Sequence, residues 1–509
     1  MPPKAVDSIG LSRTPIQASS CLKELNLDSC HLSYLPEEIG NLISLQTLDL
    51  AKNNLSTLPD GICNLTCLKR LHLEKNNVSN LPSGIGRLTS LESLYLERNS
   101  LCTLPDTIGK LSCLKDLWVK NNNLSTLPEG ICNLTCLKRL CLKENNVSNL
   151  PSGIGRLTSL ESLNLSRNSL CTLPDTIGKL SCLKYLLVRN NKLSHLPSEI
   201  GDLDSLEELV LEGNNGFRAL PESICKLVRL WRLNLKDCNL SHLPSEIDRL
   251  ISLEYLYLAR NTRLRSLSKL PTRISLIAAC CPSLESLPLE LDQLGSSANY
   301  SGSNKLAENN YLTSLLKQLP KSKRLSELKD VVHLLVPAGE EELRIWFPNH
   351  DGRGPNVSFV VPPPPSVNQN MLGWIIRVVV WAPRETSYRY QEALIDGVIC
   401  NKIPCLGEVF QFAVYPTDVD QVCLIYIPQG YGGLQLEGGD EVEIPIRMYQ
   451  TSGDEVEIEM YRAGADKVEI PIDVTHPNTY VKKWAIDLIY EGADEIHNGN
   501  DTCCHVVSI

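Results

Sequence analysis

From Leu45 onward, apolar and polar residues alternate with a fixed long-range beat. Leucines recur at Leu45, Leu68, Leu91, Leu114, Leu137, Leu160, Leu183 and Leu206, a spacing of 23 residues, and after one extra residue in "GNNGFRAL" the series resumes at Leu230 and Leu253. Each unit opens with leucines at its first, fourth and sixth places and an asparagine at its ninth, then carries "LPxxI" and a further leucine. In "LKRLHLEKN" this places Leu68, Leu71 and Leu73 on one side of a short strand, with Lys69, Arg70, His72, Glu74 and Lys75 on the other. A supersecondary unit repeated at this period cannot bury its apolar side alone, so stacked units are predicted to share one continuous core. Asn76 and its equivalents, from Asn53 to Asn261, are expected to satisfy backbone groups buried where the chain leaves each strand.

The pattern resembles the leucine-rich repeat, and ten or more copies make the resemblance specific. It implies an α/β solenoid, a horseshoe with its parallel sheet on the concave face. The expected organisation is a leader or cap over residues 1–20, a repeat solenoid over 21–295, a linker with a helical segment over 296–335 and a further domain over 336–509. Near the exit, "LSKLPTRISLIAACCPSLESLP" shortens the period, with Ile274 and Ile277 in place of two leucines, and at the entry Cys30 occupies the asparagine slot. Terminal repeats are atypical because they cap the core.

Residues 54–122 return as residues 123–191 with nine differences, a tandem copy of three repeats. One is Asp60/Glu129. The other eight, His72/Cys141, Glu74/Lys143, Lys75/Glu144, Tyr95/Asn164, Glu97/Ser166, Asp116/Tyr185, Trp118/Leu187 and Lys120/Arg189, all fall on outward strand positions. Those positions are 15 of the 69, so an even scatter would place about two of the nine there. Substitutions that merely avoided the core would also have reached the opposite side. The expected partner surface is therefore the concave face, comprising Arg70, His72, Glu74, Tyr95, Glu97, Asp116, Trp118, Lys120, Arg139, Tyr185, Arg189, Trp231, Arg232, Tyr255 and Tyr257. Tyr, Trp and Arg are common interface anchors.

Composition narrows the function classes. Hydrophobic residues make up 42% and charged residues 21% of the 509, a globular balance. The net charge is -10, with a net of -8 between Glu437 and Asp473, so no nucleic-acid footprint is expected. The N-terminus lacks the apolar core of a secretory signal, and "MLGWIIRVVVWAP" is too short to span a bilayer, which gives the expectation of a cytoplasmic protein with nuclear access left open. Twenty cysteines are then expected to stay reduced. The repeat-locked pairs Cys63/Cys132, Cys67/Cys136, Cys102/Cys171 and Cys113/Cys182 suit small buried hydrophobes. No nucleophile elbow, zinc-protease or kinase signature is present, so no enzymatic activity, cofactor or metal is expected. "CCH" at 503–505 is a weak chelating tail, and the acidic repeats "GDEVEIPI", "GDEVEIEM" and "ADKVEIPI" lack EF-hand spacing.

Beyond residue 336, β-branched and aromatic runs separated by Gly, Pro, Asn and Asp predict a sandwich of antiparallel strands. Here "ELRIWFPNHDGRGPNVSFVVPPPP", "GWIIRVVVWAP", "GDEVEIEM" and "VKKWAIDLIYE", together with the repeat exit, resemble the C-terminal jelly-roll/Ig-like (C-JID) domain of plant TIR-NB-LRR disease resistance proteins. The resemblance covers about residues 250–509 and implies recognition of a pathogen effector or partner receptor by the repeats and this domain together. No TIR-like segment and no G-x-x-x-x-G-K-[ST] motif occurs, so the nucleotide switch of that family is missing. The regular "LPxxIGxL" units look more like Ras-group repeats, which leaves a cytosolic signalling scaffold or adaptor as the alternative.

Overall fold

The computed structural model describes residues 22–267, 269–287, 294–318 and 332–346, and beyond these the strand segments 356–360, 371–381, 393–397, 400–401, 410–414, 420–428, 441–450 and 480–490. The chain divides into two compact units, one comprising residues 1–239 and 243–253, the other 240–242 and 254–509.

The first unit carries ten three-residue strands: β1 (Glu24–Asn26), β2 (Thr47–Asp49), β3 (Arg70–His72), β4 (Ser93–Tyr95), β5 (Asp116–Trp118), β6 (Arg139–Cys141), β7 (Ser162–Asn164), β8 (Tyr185–Leu187), β9 (Glu208–Val210) and β10 (Arg232–Asn234). Each pairs in parallel with the next in unbroken register, so Leu48, Leu71, Leu94, Leu117 and Leu140 stack in one column. These leucines are essentially inaccessible to solvent. A buried leucine stabilises by about 2 kcal/mol, and here the partners of each come from the repeats on either side.

The return segments are not α-helices. Each carries a 3-10 turn such as Asp60–Asn64, Glu129–Asn133 or Asp175–Lys179, these three opened by a proline, and closed by a bond from the following leucine to the isoleucine carbonyl. The α/β expectation is corrected for this unit: a 23-residue period spends its length on strand, turn and return, which leaves room for one tight i→i+3 turn only. Packing between turns is close. Gly130 donates its amide to Asp106 Oδ1 at 2.8 Å, and a Cβ at Gly130 would fall on the Asp106 carbonyl.

The asparagine expectation holds in detail. Asn145 donates Nδ2 to Val119 O of the preceding repeat at 2.9 Å and to Leu142 O of its own at 3.0 Å, while its Oδ1 accepts the Leu124 amide at 3.0 Å. Asn53, Asn76, Asn122, Asn168 and Asn191 repeat the arrangement. The residue just before each asparagine is left-handed, with φ of 52–58° at Lys52, Lys75, Arg98, Asn121, Glu144, Arg167 and Asn190. That turn carries the amide under the strand and costs on the order of 1 kcal/mol per non-glycine residue. Cysteine also serves this slot: Cys238 Sγ lies 3.2 Å from Leu211 O. Cys30, expected in the same slot, is exposed and reaches only Asp28 O, at 3.5 Å.

In the second unit, β11 (Tyr255–Tyr257), β12 (Ile274–Ile277), β13 (Leu294–Asn299) and β14 (Val332–Pro337) continue parallel pairing. The expected solenoid end at 295 and the polar linker from 296 are therefore corrected, because Ala298 and Tyr300 are buried and Ser303 does the work of the ladder asparagine. Its hydroxyl donates to Ala278 O at 3.0 Å and accepts the Cys281 amide at 3.1 Å, and Gly302 just before it is left-handed at φ 70°. Serine, glycine and alanine disguised this repeat as a linker. Ile277, expected in a core leucine slot, lies half-buried on the outward side; Ile274, Leu276 and Ala278 point inward.

Helices α1 (Lys305–Glu308), α2 (Tyr311–Gln318) and α3 (Glu340–Trp346) accompany β13 and β14. The further strands are β15 (Asn356–Val360), β16 (Met371–Trp381), β17 (Ala393–Gly397), β18 (Cys400–Asn401), β19 (Phe410–Val414), β20 (Gln421–Pro428), β21 (Glu441–Gln450) and β22 (Tyr480–Tyr490). All of their pairings are antiparallel: β14 and β16 flank β20, β22 joins β16, and β15, β17 and β18 line β21 with β19 beyond β17. Antiparallel strands are what the β-branched runs predict. A jelly roll further requires a connection pattern, and those connections lie outside the described residues, as do the acidic repeats at 453 and 465 and the "CCH" tail.

Replacing Asn145 by alanine leaves the buried Leu124 amide without its acceptor and takes one of two asparagine donors from the Val119 and Leu142 carbonyls, which keep Asn122 and Asn168, and is expected to cost about 2 kcal/mol of stability. The adjacent exposed Asn146→Ala is expected to stay within about 0.5 kcal/mol. Urea unfolding of the two variants checks this contrast.

Candidate functional site

The outward strand positions of the first unit form columns that cross the repeats. One column runs His72, Tyr95, Trp118, Cys141, Asn164, Leu187, Val210, Asn234, paired strand to strand. The column beside it reads Glu74, Glu97, Lys120, Lys143, Ser166, Arg189, Glu212, Lys236. Register alone brings these residues together: side chains 23 apart in sequence stand about 4.8 Å apart across neighbouring strands.

At the acidic end, the His72 and Tyr95 rings stack with centroids 4.4 Å apart and planes 12° from parallel. His72 Nδ1 lies 3.4 Å from Glu74 Oε1. The hydrogen bond to Glu74 raises the His72 pKa against the opposing effect of burial. Burial works against ionisation of Glu74, but its bonds to His72 and to its own amide hold the carboxyl below the ordinary range. Glu97 differs. Burial, with the Glu74 charge beside it, pushes it up to about 7, and its buried Oε2 has no hydrogen-bond partner among the described residues. A bond to its own backbone amide, and then the His72 and Lys120 charges, oppose that rise only partly.

The middle of the face is laced with ion pairs. Asp116 is 6% exposed, accepts the Ser93 hydroxyl at 3.1 Å and meets Arg139 Nε at 2.7 Å without hydrogen-bond alignment. Its expected role as an open contact residue is corrected to that of a buried anchor for the exposed Arg139. In the second copy, Lys143 and Cys141 are likewise buried, and Glu144 pairs with Arg167 at 3.2 Å. Burial lowers the Lys143 pKa, with Lys120 adding to the effect. Further along, Tyr185 Oη is 3.4 Å from Glu207, Arg189 pairs with Glu212 at 3.2 Å, and Arg232 pairs with Glu208 at 2.9 Å.

Of the expected contact residues, Arg70, Arg139 and Tyr185 are openly exposed, while His72, Glu74, Tyr95, Glu97, Trp118, Lys120, Arg189, Trp231 and Arg232 are half-buried. Tyr255 and Tyr257 belong to β11 in the second unit, opposite Ser275 and Ile277, with Tyr255 exposed. Sequence reasoning missed Ser93, which holds Asp116, and Glu208 and Glu212, which anchor Arg232 and Arg189. The available signal was their column position one repeat away from each partner. Of the four cysteine pairs expected in buried slots, only Cys63/Cys132 is buried; Cys67/Cys136, Cys102/Cys171 and Cys113/Cys182 are exposed. Among the described residues, no group of three or more His, Cys, Asp and Glu is placed to hold a metal ion, and no helix is long and apolar enough to cross a membrane.

The raised pKa of Glu97 has a signed consequence. Folding favours its protonated form, so its contribution is full below the ordinary carboxylate pKa and is lost as pH rises towards about 7. His72, also raised, loses its contribution in the same direction above its ordinary value. These two groups lower stability between pH 5 and pH 8, while His333, held down to about 4 by burial, works in the opposite direction, so Glu97→Gln is expected to gain stability relative to the parent protein at pH 8 and not at pH 5. The pH-dependent fall that Glu97 contributes is absent from the variant. Chemical denaturation at the two pH values tests this, and an undiminished fall in the variant would refute it.

Comparison with solved structures returns repeat proteins. A leucine-rich repeat protein of Leptospira interrogans is 30% identical, with 59% of this chain and 83% of that one covered at a TM-score of 0.47. A TDR receptor is 24% identical over 55% of this chain and 56% of its own, TM-score 0.43. A chain of the PEPR1-AtPEP1 structure is 31% identical over 55% of this chain and 45% of its own, TM-score 0.40. This chain thus spans about half the length of those two chains. No curated protein matches it. The family model of leucine-rich repeat regions matches residues 10–98, 93–173 and 171–272, together just over half of the chain, with the strand register and asparagine ladder already described. The protein belongs to the leucine-rich repeat family.

Proposed function

We propose that this chain is a non-enzymatic recognition module of plant defence that binds a protein partner, a pathogen effector or a partner receptor, through the strand face of its repeats. The observation that carries the reading is the confinement of eight of the nine differences between the two copies to outward strand positions. The chemistry of that face supports it. Tyr95 and Trp118 stand side by side across paired strands, with carboxylates at Glu74 and Glu97 and an ammonium at Lys120 beside them. Half-buried aromatics rimmed by charge give a macromolecular partner both apolar area and orientation. The C-terminal resemblance supports the defence setting, a C-JID-like contribution of residues 336–509 to binding, and action in the cytoplasm.

The chain supplies its own control. Since residues 123–191 fold with the alternative side chains, moving them into the first copy (His72→Cys, Glu74→Lys, Lys75→Glu, Tyr95→Asn, Glu97→Ser, Asp116→Tyr, Trp118→Leu, Lys120→Arg) changes the face and leaves the core alone. The expected outcome is loss of the defence partner captured from infected plant tissue, with the far-UV circular dichroism and a single cooperative thermal transition retained. Retention of every partner by the swapped protein would exclude this face. Retention of the same host signalling proteins after removal of 336–509 as well would favour the scaffold alternative.

A further inference from the structure

The segment leading into each strand of the duplicated block carries a polar slot just before the first leucine. In residues 54–122 that slot holds Cys67, Ser90 and Cys113; in residues 123–191 it holds Cys136, Ser159 and Cys182. Ser44 precedes the series and Ser205 follows it. Within either copy, serine separates the two cysteines. Only at the joint between the copies do two cysteines, Cys113 and Cys136, occupy this slot in neighbouring repeats.

The structure gives the two residues matching surroundings. Ser112 N donates to Lys110 O at 2.8 Å and Thr135 N to Asn133 O at 2.9 Å; Leu114 N donates to Leu111 O at 3.0 Å and Leu137 N to Leu134 O at 2.9 Å. Just beyond, Lys138 N donates to Lys115 O at 2.8 Å, and Asp116 pairs with Arg139 across β5 and β6. Cys113 and Cys136 stand in equivalent turns two residues before that inter-repeat bond, where the two repeats run as parallel neighbours about 4.8 Å apart, within the roughly 4.4–6.8 Å that a disulfide spans between Cα atoms. Both thiols are exposed, unlike the buried Cys63, Cys132 and Cys141.

We propose that Cys113 and Cys136 form a redox-closable dithiol, a modification site at the joint of the duplication, oxidised by exchange with a small-molecule disulfide such as oxidised glutathione. One protein thiolate attacks the small disulfide, forming a mixed disulfide and releasing one glutathione thiolate. The second protein thiolate attacks the protein sulfur of that mixed disulfide and releases the other. Two protein thiols are oxidised by two electrons, glutathione disulfide is reduced to two thiols, and the two protons pass to the released thiolates. The bond staples two adjacent repeats three residues ahead of Asp116 and Arg139. This inference is independent of the partner proposed above.

Cys67 and Cys182 are internal controls, because each sits in the same local sequence as Cys136 or Cys113 with serine in the neighbouring slots. The reduced full-length protein is equilibrated with oxidised glutathione, quenched by acid and alkylation, and mapped by peptide mass spectrometry. The expected result is a linked Cys113–Cys136 peptide pair lacking two hydrogens, with glutathione on these two residues about tenfold or more below that on Cys67 and Cys182. Cys113→Ser, the residue this slot already holds at Ser90 and Ser159, is expected to leave Cys136 as a stable glutathione adduct. Equal adducts on all four cysteines, with no linked pair, would overturn the proposal.

Discussion

The amide of the ladder asparagine is the interaction on which the first unit depends. Each one bonds to the strand exit of its own repeat and to two backbone groups of the repeat before it, as Asn145 does to Leu142, Val119 and Leu124. Leucine columns supply most of the favourable free energy, but burying apolar area is non-directional and would tolerate slippage. The asparagine does not, because any change of pitch or register strands three buried polar groups at once. Fixed register then determines everything on the outward side, since columns of side chains exist only where strands pair residue for residue.

The divergence between the two copies follows from that constraint. Glu74/Lys143 and Lys75/Glu144 exchange charges within a single repeat, so the local balance is kept while the pattern presented to a partner is inverted. Asp116/Tyr185 replaces a buried anion held by Ser93 and Arg139 with an exposed phenol close to Glu207. Some of the eight changes therefore alter contacts within the face as well as contacts beyond it. A partner would meet a different relief, with Tyr95 and Trp118 in one copy facing what Asn164 and Leu187 offer in the other.

The repeats and their strand face were legible in the sequence because the signal is long, periodic and carried by leucine and asparagine. Legibility failed where other residues did the same physical job. Ser303 and Cys281 satisfy the groups an asparagine would, and Ala298 with Tyr300 fills the core, so a run reading as a polar linker is a repeat. The 3-10 turns were missed because nothing in "LPxxIG" distinguishes one tight turn from the start of an α-helix. Exposure within the face was hardest to read. Alternation says that Asp116 and Lys143 point away from the core, but only the neighbouring columns decide that long side chains from adjacent repeats cover them.

The joint between the two copies pairs Leu117 with Leu140 just as Leu71 pairs with Leu94 inside the first. No strand, turn or asparagine marks the seam. A block of three whole repeats can thus be gained or lost by recombination between near-identical stretches with the strand register and the asparagine ladder kept, and only the ion pairs of the outward face rearranged. Length becomes a heritable variable of this protein, adjustable in steps of three repeats, and each added block begins as a spare binding surface that selection can reshape while its predecessor keeps the original.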